Sequence, residues 1–308
     1  MSIKIEHLYY TYDIHRPSER KALQDISLLF PDHCFSSLIG RTGSGKSTLI
    51  QQMNGLLLPT SGKIEVGSYV IDMSLEYKEK KGERIVDEKK MRKKQKKKLK
   101  DVKSLRKRVG LVFQFPEYQI FEETVIKDVM FGPRNFGAEE SEARKQAETA
   151  LTLVGLDSSF YERSPFELSG GEKRRVAIAG IIAMKPEVLI LDEPTVGLDS
   201  AGEERLMNLL ERISKENTSI IIATHNMDLV LKYCDRAIVL NYGKVVRDST
   251  PLELFQDIDF LKHSSIEPPK VFSFAMKLKE NGLDIDLSHV KDTESLAMEI
   301  VKAKEETK

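Results

Sequence analysis

A glycine-rich run between an apolar segment and a helical one constrains the fold of this chain more than any other feature. Residues 40–47 read GRTGSGKS and fit the pattern G-x-x-x-x-G-K-[ST] without a departure. The segment CFSSLIG before it predicts a short strand, and STLIQQMNGLL after it has apolar residues at helical spacing. Glycines let backbone N–H groups turn toward phosphate oxygens, and the next helix N-terminus adds its dipole. This order predicts a phosphate-binding loop; the alternative is a glycine-rich turn that matches by chance.

The residue types in this loop indicate a nucleotide bound together with Mg²⁺. Lys46 is placed to reach the β- and γ-phosphates, and the hydroxyl of Ser47 is placed to bind the cation. The predicted nucleotide-binding residues of this segment are Gly40, Arg41, Thr42, Gly43, Ser44, Gly45, Lys46, Ser47 and Thr48.

A second element is an apolar segment that ends in two acids. Residues 188–193 read VLILDE, which is typical of a strand buried on both faces of a parallel sheet. Because ligands bind at the ends of such strands, Asp192 is predicted to hold Mg²⁺ opposite Ser47, and Glu193 to polarise the attacking water. An acidic pair at a strand end is by itself usually a solvated turn. Together with the phosphate-binding loop it indicates a P-loop NTPase.

A third element is the segment LSGGE at residues 168–172, which precedes the basic, helix-forming run KRR. A Ser-Gly-Gly turn at a helix N-terminus is a second site for an anion, formed here by Ser169, Gly170 and Gly171. The alternative for this segment alone is a plain helix cap. Two anion sites in one chain suggest that each of them serves a different nucleotide.

This set of motifs resembles the ABC ATPase family, over about residues 3 to 250. The resemblance implies that Gln114, after the segment RVGLVF, is the family's Q-loop glutamine, a catalytic residue and Mg²⁺ ligand. His225, after IIIAT, corresponds to the switch histidine that contacts the γ-phosphate, and Tyr12 to the aromatic that stacks on adenine. The segment GLD at residues 197–199 corresponds to the D-loop. The implied substrate is ATP, the implied cofactor Mg²⁺, and the implied catalytic residues are Glu193, His225 and Gln114.

Two longer segments resemble the ATP-binding subunits of energy-coupling factor transporters. They read FQFPEYQIFEETVIKDVMFGPRNFG and ERSPFELSGGEKRRVAIAG, and the FPEYQ variant is similar to the second ATPase isoform of those transporters. The family implies an importer of vitamins or transition-metal ions. Its implied partners are a second ABC ATPase, a transmembrane coupling protein and a substrate-binding membrane protein. The side chains Phe115, Tyr118, Ile120 and Phe121 are predicted to form the surface that receives the coupling protein. The alternative is that these residues are internal core, and some of them must be.

Pattern and resemblance together predict the architecture. We expect an α/β P-loop NTPase (RecA-like) core with an antiparallel β-subdomain, a helical subdomain near residues 115–180, and a small C-terminal appendage. Residues 1–250 are predicted to form the nucleotide-binding domain, and residues 251–308 the appendage. The lysine-rich stretch 77–108 is predicted to be a largely solvated insertion, which the family does not explain. The alternative is that it is attracted to anionic lipid at the cytoplasmic leaflet. Glu172 is a further departure, since the family more often has glutamine at this position. It places a negative charge beside the second anion site.

Composition limits the other functions that the chain can have. The 48 Lys and Arg residues balance 48 Asp and Glu residues, so nucleic acid is not an expected partner. One alternative is a soluble ABC ATPase that acts on nucleic acid or the ribosome, with the lysine-rich stretch as an arm. Another is a catalytically silent regulatory subunit, although every hydrolytic position is filled. The chain has no recognisable signal peptide and no apolar run near 18 residues, which predicts a peripheral protein on the cytoplasmic face of the cell membrane.

Overall fold

The structure is a computed structural model that describes most of the chain. The described residues are 1–14, 16–73, 77–80, 83–87, 90, 93 and 102–306. No helix in these ranges has the length and hydropathy of a membrane span.

Short apolar strands form a six-stranded central sheet, with the strand order β12-β11-β3-β10-β9-β8. The neighbours from β11 to β8 are parallel, and β12 is antiparallel to β11. Strands such as SIIIA are buried along their whole length, as expected for a sheet covered on both faces. The strands are β3 (Phe35–Ile39), β8 (Val109–Val112), β9 (Val188–Asp192), β10 (Ser219–Ala223), β11 (Arg236–Asn241) and β12 (Lys244–Ser249).

An antiparallel sheet from the N-terminal part lies beside the central one, in the order β2-β1-β4-β5. Its strands alternate between buried and exposed residues, as in β2, because one face packs on the protein and the other meets solvent. The strands are β1 (Ile3–Tyr12), β2 (Arg20–Phe30), β4 (Ser61–Val66) and β5 (Tyr69–Met73). A separate hairpin consists of β6 (Tyr77–Lys80) and β7 (Glu83–Val86).

Helices cover the central sheet and form the helical and C-terminal parts. They are α1 (Lys46–Met53), α2 (Val102–Arg108), α3 (Val125–Asn135), α4 (Glu140–Leu153), α5 (Gly170–Ile182), α6 (Ser200–Lys215), α7 (Met227–Tyr233), α8 (Pro251–Gln256), α9 (Ile258–Ser264), α10 (Lys270–Glu280) and α11 (Thr293–Glu306). Helices α3, α4 and α5 pack on one another and confirm the predicted helical region.

Each face of the central sheet has its own apolar core. Ile190 packs in a core with α1 and the antiparallel sheet, whereas its neighbours Leu189 and Leu191 pack in a core with helices of the other face. This alternation follows from the twofold side-chain period of a strand. The predicted α/β architecture is therefore confirmed, with the antiparallel sheet on one face and the helical part on the other.

The end of the lysine-rich stretch differs from the prediction of a solvated insertion. Residues 102–108 form α2, in which Leu105 is fully buried and Val102 nearly so, beneath the N-terminal sheet. Arg106 donates to the carbonyl of Gly55 at 3.0 Å, and Arg108 pairs with Glu187 at 2.7 Å. Two apolar residues three apart, Val102 and Leu105, are too few to show a clear helical period in the sequence. Most of the basic run, residues 88–89, 91–92 and 94–101, lies outside the described residues.

The C-terminal segment packs against the main core rather than only against itself. Leu254 and Phe255 of α8 and Phe272 of α10 belong to the same apolar core as α7, and all three are fully buried. The rings of Phe255 and Phe272 lie 6.5 Å apart. A small second cluster, containing Ala275, Ile285, Val290 and Leu296, holds α10 and α11 together.

We expect Phe255→Ala to lower the free energy of unfolding of the whole chain by about 3–5 kcal/mol, because a buried aromatic ring is replaced by a cavity. Urea unfolding, followed by far-UV circular dichroism, measures this change. Phe274→Ala is the control, since this α10 ring is 54% exposed and its loss should change stability by about 0.5 kcal/mol or less. A Phe255→Ala protein in which residues 251–306 unfold separately, while the rest keeps wild-type stability, would show that the appendage is an independent domain.

Candidate functional site

Four loops meet at one edge of the central sheet. The phosphate-binding loop follows β3, His225 follows β10, Glu193 follows β9 and Gln114 follows β8. These strands are parallel neighbours, so their carboxyl ends lie together. Ligands of open α/β sheets bind at this edge. The fold thus brings the predicted hydrolytic residues into one region.

Two glycines of the phosphate-binding loop are required by the fold itself. At Gly40, whose φ is 153°, an added Cβ would lie 2.3 Å from the carbonyl oxygen of Leu240. At Gly45, whose φ is 108°, it would lie 2.7 Å from the carbonyl oxygen of Ala22. Any other residue would both strain the backbone and collide with a neighbouring strand. The loop is therefore held tightly between β2 and β11, which orients its N–H groups.

Lys46 is enclosed by the loop that precedes it. The residue is 8% exposed, and its Nζ donates to the carbonyl oxygen of Gly40 at 2.6 Å. Burial lowers the pKa of Lys46, and the nearby carboxylates of Glu193 and Asp192 oppose that shift. The ammonium group therefore lies between the loop and the acidic pair, where phosphate oxygens would replace the carbonyl as its partner.

The start of α1 provides further polar atoms. The hydroxyl of Ser44 is buried and has no hydrogen-bond partner, which leaves it available to a ligand. Ser47 is exposed in the first turn of α1. The Thr48 hydroxyl lies 3.1 Å from that of Tyr12, whose ring meets Tyr10 edge to face at 4.7 Å. Tyr12 is therefore anchored beside the phosphate-binding helix.

Glu193 and His225 form a contact at the same edge. Glu193 has a left-handed backbone with φ of 49°, and its N–H donates to the carbonyl oxygen of Ala223 at 2.8 Å. For a residue other than glycine, the backbone strain of this conformation costs about 1–3 kcal/mol. Such residues are found mostly at functional sites. The turn directs Oε2 of Glu193 to 2.8 Å from Nδ1 of His225. The imidazole donates here, because a carboxylate only accepts.

The Ser-Gly-Gly turn forms the N-terminus of α5 with a reciprocal cap. The backbone N–H and hydroxyl of Ser169 donate to Oε2 of Glu172 at 2.8 and 2.7 Å, and the N–H of Glu172 lies 3.3 Å from the Ser169 hydroxyl oxygen. These bonds lower the pKa of Glu172, so its carboxylate stays charged while it closes the cap. The unusual glutamate is thus turned back onto Ser169, which explains how the fold accommodates it.

The turn does not join the other predicted site residues within this chain. Ser169, Gly170 and Gly171 are exposed, and the turn lines a cavity of about 500 Å³ with Leu153 and Asp199. No residue of 40–47, all of which the structure describes, lines that cavity. The two turns predicted to bind anions therefore lie apart in the fold.

Two features of the site were missed by the sequence analysis. The turn between β11 and β12 supports the phosphate-binding loop: the N–H of Gly243 donates to the carbonyl oxygen of Ser44 at 2.9 Å. Arg174, noted only as part of a basic run, is buried and donates to the backbone of Gln114 at 3.1 Å. Sequence carries no signal for either, since both contacts join segments that are far apart along the chain.

Comparisons with known proteins agree with this geometry. Residues 23–196 match the family described as ABC transporter. A protein of Spiroplasma kunkelii named Energy-coupling factor transporter ATP-binding protein EcfA2 is 45% identical over 99% of this chain and 94% of its own length. One of the same name from Ligilactobacillus salivarius (strain UCC118) is 49% identical over 90% of this chain and 89% of its own length.

Solved structures show the same fold. CbiO1 from Clostridium perfringens, described as part of the ABC transporter complex cbiONQ, has a TM-score of 0.67 at 36% identity over 85% of this chain and 93% of its own. The ATP-binding cassette MJ0796, in a dimeric post-hydrolysis state bound to ADP and Pi, has a TM-score of 0.63 at 25% identity over 81% of this chain and 98% of its own. The chain therefore belongs to the ABC transporter family of ATPases and, within it, to the energy-coupling factor transporter ATP-binding proteins.

Proposed function

We propose that this ABC ATPase hydrolyses ATP in a site shared with a second ATPase subunit, and that closure of the pair drives an importer in the membrane. The observation that carries the proposal is the turn at Gly170 and Gly171. An added Cβ at either residue would meet nothing within 4 Å, and neither has a positive φ. Glycine at a helical position costs up to about 1 kcal/mol of stability relative to alanine. The fold of this chain therefore does not require glycine at these two positions.

A molecule that approaches from outside would account for these glycines. Their N–H groups and the Ser169 hydroxyl are exposed at a helix N-terminus, where a phosphate oxygen is favourable. This chain's own phosphate-binding loop lies elsewhere, so the phosphate would belong to ATP held by the second subunit. Support for this arrangement comes from the dimeric MJ0796 structure, which is bound to ADP and Pi. Each ATP would then be enclosed by one subunit's loop and the other's Ser-Gly-Gly turn.

Within this chain, the loop and the acidic strand suit ATP with Mg²⁺. Lys46 would contact the β- and γ-phosphates, and the backbone from Gly40 to Gly45 would surround them. The hydroxyl of Ser47 and the carboxylate of Asp192 are the oxygen donors that Mg²⁺ prefers together with phosphate oxygens, and the cation would neutralise developing charge. The Ser44 hydroxyl, buried without a partner, gives the loop one further donor for phosphate. Gln114 is exposed after β8, from where it would reach the cation or the water.

Glu193 would orient the attacking water, and His225 would contact the γ-phosphate. In this structure the Nδ1–H of His225 is engaged by Glu193. A neutral ring that donates through Nδ1 has only a lone pair at Nε2, so it repels a phosphate oxygen. Contact with the γ-phosphate would therefore require the ring to turn or to gain a second proton. Turning of the ring would free the Glu193 carboxylate for water, which would link nucleotide binding to activation.

The surface after Gln114 would receive the transmembrane coupling protein. Three of the four side chains predicted there are exposed: Phe115, Tyr118 and Phe121, with Tyr118 84% exposed. Ile120 is 9% exposed and belongs to the main core, so its prediction as a docking residue was wrong. Phe131 lies against Phe121 with ring centres 4.8 Å apart and extends the apolar surface. Exposed aromatic clusters of this kind mark sites of protein association.

The relatives' names support membership of a transporter complex, which we propose to be an importer. Its further members would be a second ATPase, the transmembrane coupling protein and a substrate-binding membrane protein that selects vitamins or transition-metal ions. This chain would lie at the cytoplasmic face of the cell membrane as a peripheral subunit.

Co-purification from detergent-solubilised membranes tests the proposal. We expect the wild-type chain to carry a second ATPase and a polytopic membrane protein with it. Tyr118→Asp should reduce the recovered membrane protein at least about tenfold, because it places an unpaired charge in an apolar interface. Phe274→Asp is the matched control, an exposed aromatic on α10 whose change should leave recovery unaltered. Purification of the wild-type chain alone, or equal loss in both variants, would contradict the assignment of this surface.

A further inference from the structure

One buried arginine connects three functional segments of the chain. The side chain of Arg174, on α5, is 6% exposed, and its Nε lies 3.3 Å from Oε2 of Glu117. One terminal nitrogen, Nη2, donates to the carbonyl oxygen of Gln114 at 3.1 Å. The other, Nη1, donates to the carbonyl oxygen of Val196 at 2.7 Å, with that of Pro194 at 3.5 Å.

These partners belong to different parts of the proposed machinery. Gln114 and Glu117 lie in the segment that carries the docking surface. Pro194 and Val196 follow the catalytic Glu193 and precede the D-loop. Helix α5, which carries Arg174 itself, begins with the Ser-Gly-Gly turn one turn earlier. A single guanidinium therefore contacts the segment proposed to meet the membrane partner and the segment after Glu193, and its own helix presents the second anion site.

The chemistry of the contact makes arginine specific. Burial of a charge is costly unless its donors are satisfied, and here one carboxylate and backbone carbonyls satisfy them. The planar guanidinium holds five N–H groups in a fixed fork, whereas lysine has one compact ammonium group. Lysine would keep the charge but could not reach carbonyls on both sides at once. Because most acceptors are backbone atoms, movement of either segment displaces the arginine directly.

We propose that Arg174 is a positioning residue that transmits movement between the docking surface and the ATP site. This inference rests on the proposed function, since it assigns the contact a role in coupling. Displacement of the segment from Gln114 to Gln119 by the membrane partner moves the guanidinium. The guanidinium in turn moves α5, and with it Ser169, as well as the turn that follows Glu193. The reverse path carries closure of the ATP site to the membrane partner.

Hydrogen exchange of this chain tests the connection without any need for turnover. The informative amides are Tyr118, bonded to the Phe115 carbonyl, and Val196 and Leu198, bonded to those of Glu193 and Thr195. In Arg174→Lys we expect the exchange rates of all three to rise together by about tenfold, the effect of losing a charged hydrogen bond. Arg212→Lys is the matched control: this exposed arginine makes a bond to the Leu153 carbonyl at 3.3 Å and should leave the three rates unchanged.

Glu117→Gln provides a milder variant that keeps the arginine in place. It should raise exchange at Tyr118 while Val196 and Leu198 keep their wild-type rates, because only the first segment loses its ionic partner. Unchanged rates in Arg174→Lys would overturn the proposal. So would a rise spread evenly through the central sheet, since that would make Arg174 a general stabilising residue.

Kinetics of the assembled complex then test the coupling role. We expect Arg174→Lys to keep the KM for ATP within about twofold and to lower kcat about tenfold. A rise in KM with unchanged kcat would remove the coupling role, because it would place Arg174 in substrate binding alone. If the wild-type complex shows no ATP hydrolysis, the proposed function fails, whereas the exchange experiment still decides whether Arg174 connects the two segments.

Discussion

Glu193→Gln is expected to keep ATP affinity within about threefold of wild type and to lower turnover about 100- to 10,000-fold, the range for loss of a general base. Glutamine preserves the shape of the side chain but carries no negative charge to polarise water. The backbone at Glu193 is held by its bond to Ala223, so the substitution should not move Asp192 or the sheet edge. The loss should therefore appear in kcat and not in KM.

Two measurements separate these effects. Steady-state phosphate release is followed in an assembled pair whose partner subunit has its corresponding glutamate replaced, so that only this chain's own site turns over, and ATP affinity is measured by equilibrium binding. Lys46→Ala is the contrasting variant: it should weaken ATP binding itself, because the ammonium contacts phosphate in the ground state as well as in the transition state. Thermal unfolding without nucleotide should show that both variants remain folded. Turnover of Glu193→Gln within a few-fold of wild type would remove this residue from the catalytic role.

Ser169→Arg should damage only the ATP site whose phosphate-binding loop belongs to the partner subunit. The long cationic side chain would fill the space where γ-phosphate meets the helix N-terminus, and would also remove the cap of α5. Loss of one donor of this type lowers turnover about 100- to 1,000-fold in other enzymes. ATP at this chain's own Lys46 should be unaffected, because the turn and the loop lie apart in the subunit.

Paired variants separate the two sites. With Glu193→Gln present, the remaining turnover comes from the site that uses Ser169, and Ser169→Arg should abolish it. With the corresponding glutamate of the partner subunit replaced instead, Ser169→Arg should change turnover less than about threefold. Thr250→Arg is the control for loss of a helix cap, since Thr250 forms the same reciprocal cap with Glu253 at α8. An isolated, monomeric wild-type chain that hydrolyses ATP at the full rate of the pair would show that no shared site is needed.

Local patterns in the sequence were sufficient for the elements that carry the chemistry. The loop at residues 40–47, the strand ending at Asp192 and the helix following Ser169 all appeared where their residue types predicted them. Each depends on short-range physics: glycines that permit positive φ, a short apolar run that is buried in a sheet, and a serine that caps a helix. Parallel strand order then brings Gln114, Glu193 and His225 to one edge of the central sheet.

Only the tertiary structure decided how these parts support one another. The turn at Gly243 holds the phosphate-binding loop, α2 fills a core beneath the N-terminal sheet, and Phe255 joins the C-terminal segment to the main core. Arg174 donates hydrogen bonds to acceptors in two distant segments. Glu117 is 57 residues away along the chain, and Pro194 is 20 residues away. No local period records such contacts, because they depend on which surfaces meet after the chain has folded. The sequence by itself determined the chemical groups and their strands, whereas packing decided which of them are in contact.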